Sequence, residues 1–192
     1  NYIDKVYGTG FNQKHNVTVQ GGTDKVRYFA SFGYLGQKGN IDNYNYTRYN
    51  IRSNVEATIA NNFVFTLGPS GVLANRQTPA CSTGGSDTGY ESGWLSIANQ
   101  TIQMHPYLPE KYNGKYTASI KKNTSLPQSP LAAIYESGYK KTRSTEGTVN
   151  ASLAYNAPWL KGLQIKVSGS FDYGTSFNKN LNTPYYLSAF YD

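Results

Sequence analysis

Hydrophobic and polar residues alternate with a period of two along much of this chain, the pattern of strands with one apolar and one polar face. Six such stretches predict strands near residues 13–21, 26–35, 46–59, 63–73, 146–155 and 163–173. In the first, Val17 and Val19 share one face, with Asn16, Thr18 and Gln20 on the other. In the second, Val26, Tyr28, Ala30, Phe32 and Tyr34 lie together. The third is the cleanest: Tyr49, Ile51, Val55, Ala57 and Ile59 oppose Arg48, Asn50, Arg52, Asn54 and Glu56. The fourth carries Phe63, Phe65 and Leu67, and Gly68-Pro69 predicts a bulge or bend within it. The fifth aligns Val149, Ala151, Leu153 and Tyr155, and the sixth Ile165, Val167, Phe171 and Tyr173.

The connections are unequal. Gly22–Lys25, Ala60–Asn62 and Asn156–Gly162 are short, whereas about ten polar residues join strands two and three, and a long loop spans about 76–145. Short and long alternate, so all the short turns fall at one end of the sheet. That is an antiparallel up-and-down meander. Two short helices are predicted inside the long loop. One covers Trp94–Met104 and stops before Pro106. The other is capped by Ser129, has Pro130 at its first position and ends at Gly138.

Periodicity alone fits two architectures. In a soluble β-sandwich the apolar faces form a core and the charged faces meet water. In a transmembrane β-barrel the apolar faces meet lipid and the polar faces line the lumen. Loop asymmetry and strand length favour the barrel: a membrane strand needs about 9–11 residues, whereas the usual soluble strand has about 5–6. Arg48, Asn50, Arg52, Asn54 and Glu56 then face the lumen, although a cross-strand ladder of the two arginines with Glu56 is the favoured reading of their charges. Six strands do not close a barrel, so the chain is expected to be a fragment of a larger one.

Composition sharpens this picture. Of 192 residues, only 15% are charged and 15% are aromatic, including 18 Tyr. That excludes intrinsic disorder. No apolar run is long enough for a membrane-spanning helix. The net charge of +7 comes from scattered Lys and Arg, and many rings alternate away from them, so no nucleic-acid surface is expected. One cysteine, Cys81, and two histidines, His15 and His105, support neither a disulfide framework, a metal site nor a catalytic triad. No cofactor is expected. The Gly-rich Ser82–Gly89 lacks the Lys-Ser/Thr of a phosphate loop. The rings Trp94, Tyr107, Tyr112 and Tyr116 in the long loop are candidate ligand platforms, or else they pack the loop's own core.

One longer pattern is more specific. Gly10–Phe63 contains a strand ending in Gly21-Gly22, a second with Tyr28, Ser31, Gly33 and Tyr34, and a third with Arg48, Tyr49, Asn50, Arg52 and Asn54. This resembles the SusC/RagA family of TonB-dependent outer-membrane transporters. Ser129–Ala132, Gly138-Tyr139 and Trp159–Tyr173 also look like this family. The resemblance implies a barrel of about 22 strands in the outer membrane of a Gram-negative bacterium of the Bacteroidota. It implies import of oligosaccharides or peptides rather than catalysis. It further implies the TonB complex and a SusD-like surface lipoprotein lid as partners, beside the lipid bilayer. The plug, the TonB-contacting segment and the barrel closure are not expected within these residues. The alternative is a soluble glycan-binding β-sandwich using its aromatic loop residues.

Overall fold

A computed structural model describes residues 1–192 except 61, 82–89, 122–123, 161 and 190–192. Six long strands form one antiparallel sheet: β1 (Phe11–Gly22), β2 (Val26–Lys38), β3 (Asn45–Ile59), β4 (Phe63–Pro79), β8 (Gly138–Asn156) and β9 (Gln164–Asn182). They lie in the order β1-β2-β3-β4-β8-β9, so each strand pairs with its predecessor in the meander. The strands reach further toward the long loops than periodicity predicts. Beyond the alternating stretch cations and amides enter the outward face among Phe177 and Leu181, so the signal fades while the backbone ladder continues: β4 and β8 stay paired up to Pro79↔Tyr139, and β8 and β9 up to Gly138↔Asn182.

The register holds the two faces apart across all six strands. One row runs Val17–Phe32–Ile51–Gly71–Gly147–Tyr173. An adjacent row runs Thr18–Ser31–Arg52–Ser70–Thr148–Asp172 on the opposite face. The bulge expected at Gly68-Pro69 is absent. Both residues pair in register with β8, at Asn150 and Val149. On the β3 side the pairing lapses between Arg52↔Ser70 and Val55↔Leu67, yet no residue is inserted. Pro69 has no N–H to donate, so it costs a ladder bond without shifting the register.

No second sheet covers the apolar face among the described residues, which sets aside the sandwich. Ile51 and Phe171 keep 61% and 69% of their surface exposed. On β3 the apolar run Tyr49–Ile59 has eleven residues. At about 3.4 Å each and tilted about 45°, these rise roughly 24 Å, the height of an outer-membrane barrel's apolar band. Rings mark both borders. On the long-loop side His15 stacks on Tyr34 at a centroid distance of 6.0 Å, and Tyr34 meets Tyr49 at a tilt, 5.3 Å away. Phe63 packs on Tyr155 at 4.8 Å on the short-turn side.

The motif glycines make room for neighbouring side chains. A Cβ on Gly21 would collide with the Tyr28 ring, which lies across it from β2. A Cβ on Gly33 would meet the side-chain amides of Asn16 and Asn50, which close over it from both neighbouring strands. At the short-turn end, Thr23 folds the first hairpin: its backbone N–H bonds the Val26 carbonyl at 2.7 Å, and its hydroxyl accepts from the Val26 N–H at 3.2 Å.

At the other end the long connections build a cap with its own core. It contains α1 (Tyr2–Val6), α2 (Tyr90–Gln103), α3 (Pro130–Tyr135) and the short strands β5 (Lys111–Tyr112), β6 (Lys115–Lys121), β7 (Thr124–Gln128) and β10 (Ser188–Ala189). Pro130 opens α3 as expected, but Ser129 makes no side-chain capping bond. Gly138 takes a φ of +96° after α3, a left-handed conformation that suits glycine. The hairpin between β5 and β6 turns on Asn113-Gly114, both at positive φ, the geometry of a two-residue Asn-Gly turn. Ile97, Leu131, Ile134, Met104 and Cys81 pack with Tyr2 and Val6 from α1 and with Ile41 from the β2–β3 loop.

Candidate functional site

Two surfaces carry polar chemistry. The first is the polar face of the sheet. Arg48, Asn50, Arg52, Asn54 and Glu56 all project there from β3, because residues two apart share a face. Ser70, Asn150, Ser168 and Lys166 from β4, β8 and β9 line a shallow hollow with Arg52 and Asn54. A second hollow on this face gathers Arg48, Arg76 and Glu146. Hydroxyls and amides bond across the strands: Thr148 Oγ1 donates to Asp172 Oδ1 at 2.6 Å, and Thr142 Oγ1 to Asn178 Oδ1 at 2.7 Å.

The expected arginine ladder does not form. Glu56 faces Arg27 across β2–β3, with 3.7 Å between their charged atoms. Arg52 stands instead between Ser31 and Ser70, and Arg48 between Leu35 and Ala74. Register decides this: Glu56 is four residues along β3 from Arg52, while Arg27 is its direct cross-strand partner. Neither Arg48 nor Arg52 has an ion-pair partner among the described residues. Both guanidiniums are free to meet an anionic group brought to this face.

The second surface is a hollow at the rim, where the upper ends of β1–β4 meet α2. Phe11, Tyr44, Tyr46, Trp94 and Leu95 supply its apolar lining, and Arg76 supplies charge. The Arg76 guanidinium lies 5.7 Å from the centre of the Tyr46 ring. A polar clasp fixes the β2–β3 loop beside it. Tyr135 donates to Asp42 at 2.7 Å, Lys38 approaches Asp42 at 3.4 Å, and the Asn43 side chain donates to the Ile134 carbonyl at 2.9 Å. The hydrogen bond from Tyr135, and then Lys38, hold the Asp42 carboxyl below its usual range. Burial, and then Asp42, push the Tyr135 phenol up to about 12. Burial also raises Tyr44, with Cys81 beside it, so this rim phenol stays neutral.

The four loop rings do not converge. Trp94 lies in the rim hollow on α2. Tyr107 is 94% exposed and Tyr112 is half exposed on β5. Tyr116 is a correction: only 7% exposed, it stacks on Tyr135 at 6.4 Å and packs the cap core, with the Lys111 ammonium 4.3 Å from its ring centre. Its position on β6 points it inward, so it offers no ligand platform. Sequence reading missed Tyr44, Tyr46 and Arg76 at the rim. The signal for the two tyrosines was Asn43–Tyr49, NYNYTRY, whose rings continue β3 past its alternating part. Ser82–Gly89 lies outside the described residues. Among the described residues no cluster of three metal-ligating side chains occurs.

A long-stranded antiparallel meander, apolar on one face, polar on the other and capped at one end, is a wall of a transmembrane-type β-barrel. Comparison with known proteins narrows the class. No protein-family profile matches the chain. It is 26% identical over 170 residues to the TonB-dependent receptor P3 of Formosa agariphila, covering 88% of this chain and 16% of that protein. It is 22% identical over 207 residues to the TonB-dependent receptor SusC of Bacteroides thetaiotaomicron, covering 95% of this chain and 19% of that protein. Its fold matches the RagAB peptide importer in the closed-closed and open-open states, with TM-scores of 0.65 and 0.66, at 21% identity over 91% of this chain and 19% of the larger one. Over most of its length the chain is thus similar to a segment of TonB-dependent receptors of the SusC type, and its fold is that of a β-barrel wall. It spans less than a fifth of the length of these relatives.

Proposed function

We propose that this chain forms part of the wall and outer cap of an active importer in the outer membrane of a Gram-negative bacterium. The cargo is an oligosaccharide or a peptide, the energy comes through TonB, and a SusD-like lipoprotein covers the opening. The observation that carries this reading is the division of six paired strands into one exposed, mostly apolar face and one mostly polar face, with the cap on one end only. The polar face, with Arg48, Asn50, Arg52, Asn54 and Glu56, lines the lumen. The rim hollow with Trp94, and the exposed rings Tyr107 and Tyr112, meet the cargo on its way in. Aromatic faces beside amide groups suit both sugars and peptide backbones. The chain contributes binding surface and no chemical step.

Uptake by cells carrying the full-length protein tests this. Import of a labelled oligosaccharide or peptide pool is expected to stop when the proton-motive force is collapsed or when TonB is deleted. Import that continues in both conditions overturns the active-transport reading. Trp94→Ala is expected to weaken cargo binding several-fold, since one stacked ring contributes on the order of 1 kcal/mol. An unchanged affinity removes the rim hollow from the cargo path.

A further inference from the structure

The apolar face of the sheet ends toward the cap in a patch of positive charge. On β8 the outward series runs Tyr155, Leu153, Ala151, Val149, Gly147, Thr145 and then Arg143, Lys141 and Tyr139. On β9 it runs Ile165 to Tyr173, then Thr175, Phe177, Lys179 and Leu181. Register sets Lys141 directly opposite Lys179, and Arg143 opposite Phe177. The β4 neighbours in these rows, Gln77 and Asn75, are neutral, and no carboxylate occupies either row. The two ammonium groups share one ring: Lys141 Nζ lies 4.6 Å and Lys179 Nζ 6.0 Å from the centre of Tyr139.

Like charges placed directly across a ladder repel. An anion that both ammoniums and the Arg143 guanidinium reach together reverses the sign of the effect. The position says which anion is at hand. The patch sits just above the apolar belt, at the level where lipid headgroups begin, and Phe177 and Leu181 beside it are exposed. Cations flanking a membrane belt attract anionic headgroups, and a guanidinium fork matches two phosphate oxygens.

We propose that Lys141, Arg143 and Lys179 form a docking site for the phosphorylated headgroup of an outer-leaflet glycolipid, with Tyr139 holding the two lysines together and Phe177 against the lipid's apolar part. The site fastens the outer wall of the barrel to its annular lipid and lies on the opposite face from the cargo path. This inference rests on the membrane-barrel reading given above.

The test uses the full-length protein purified in detergent and native mass spectrometry. The probes are a phosphorylated glycolipid of the lipid A class, the same glycolipid after phosphatase treatment, and phosphatidylcholine. The wild type is expected to hold the phosphorylated lipid tightest. Removal of each cation is expected to cost about five-fold, and K141Q/R143Q/K179Q on the order of a hundred-fold. Lys25→Gln, at the short-turn end, is expected to leave binding within two-fold. The charge-retaining Lys141→Arg and Lys179→Arg are expected to bind as the wild type does. Wild-type affinity in the triple variant overturns the proposal, as does equal binding of the dephosphorylated lipid. Should the triple variant not fold, the single variants decide in the same way. Heat-modifiable migration on an unboiled gel checks the underlying reading separately. A wild type without it, outside the membrane fraction, brings down the barrel and this site together. A folded membrane barrel with unchanged lipid binding brings down the site alone.

Discussion

The sheet and the cap use hydrophobic residues in opposite ways. On the sheet Ile51 is largely exposed, whereas in the cap Ile97 and Ile134 keep 0% and 1% of their surface. The same side chain thus marks a surface in one region and a core in the other. The cap resembles a small soluble domain: its three helices and β6 contribute to one apolar core, with buried hydroxyls satisfied by carbonyls, as where Thr101 Oγ1 donates to Ile97 O at 2.6 Å. The sheet has no such interior. Its order comes from continuous backbone pairing, and no second layer covers its apolar face among the described residues. A chain with only 38% hydrophobic residues can therefore still belong in a membrane, because a barrel wall needs only every second residue to be apolar.

Cavity formation in the cap is the largest effect by which the comparison can be broken. Ile134→Ala is expected to destabilise the cap by about 2–5 kcal/mol. Hydrogen exchange of the full-length protein should show faster exchange in α2 and α3 with the β8–β9 ladder unchanged. A matching loss of protection in the sheet would mean that the two regions fold as one unit.

A charge placed in the belt tests the other side. Val167→Arg on the apolar face of β9 is expected to cost about 2–4 kcal/mol of folding into bilayers, while Ser168→Arg, one residue along on the polar face, is expected to cost little. Equal costs for the two variants would mean that this face does not meet lipid.

The clasp between Asp42 and Tyr135 gives a smaller effect with a defined pH dependence. The Asp42 carboxyl titrates lower in the folded protein than its ordinary 3.8. Its contribution is therefore complete above that value and fades as pH falls below it. Tyr135 is shifted from 10.0 to about 12, so its contribution is complete below pH 10 and is lost as pH rises toward 12. Tyr135→Phe should remove roughly 0.5–1 kcal/mol of cap stability, the range for an exposed charged hydrogen bond. Hydrogen exchange of α3 in the full-length protein at neutral pH checks this, and unchanged protection in Tyr135→Phe would mean that the clasp contributes nothing to the cap.

The smallest expected change is in Tyr107→Ala. Its ring stands almost wholly in solvent, so stability should move by less than about 0.5 kcal/mol. Any reduction in cargo affinity would then report contact rather than folding.

Much of the sheet was legible in the residue order because its faces differ so sharply. Val17, Ile51 and Val167 recur at period two, and the short turns declare themselves through Gly22, Thr23 and Gly162. The upper halves of β8 and β9 were not legible. There Arg143, Lys141 and Lys179 stand on the outward face and Lys140 and Asn178 on the other, so alternation disappears while pairing continues. The cap was legible only in pieces. Pro130 and the apolar run after Trp94 announce helices, but nothing local tells Tyr116 to point inward or Tyr107 outward. Those directions depend on Tyr2, Ile41 and Leu187, which arrive from the N-terminal segment, the β2–β3 loop and the far end of the chain.

By itself the order of residues determined that six strands exist, their two faces and the side on which the long loops lie, since each follows from local periodicity and turn chemistry. Only the tertiary structure decided which charges meet. It paired Glu56 with Arg27 and left Arg52 between two serines. It also set Lys141 against Lys179 and gathered Trp94 with Tyr44, Tyr46 and Arg76 at the rim. Such meetings depend on the register between strands and on segments far apart in the chain, and neither is encoded in the spacing within any one segment.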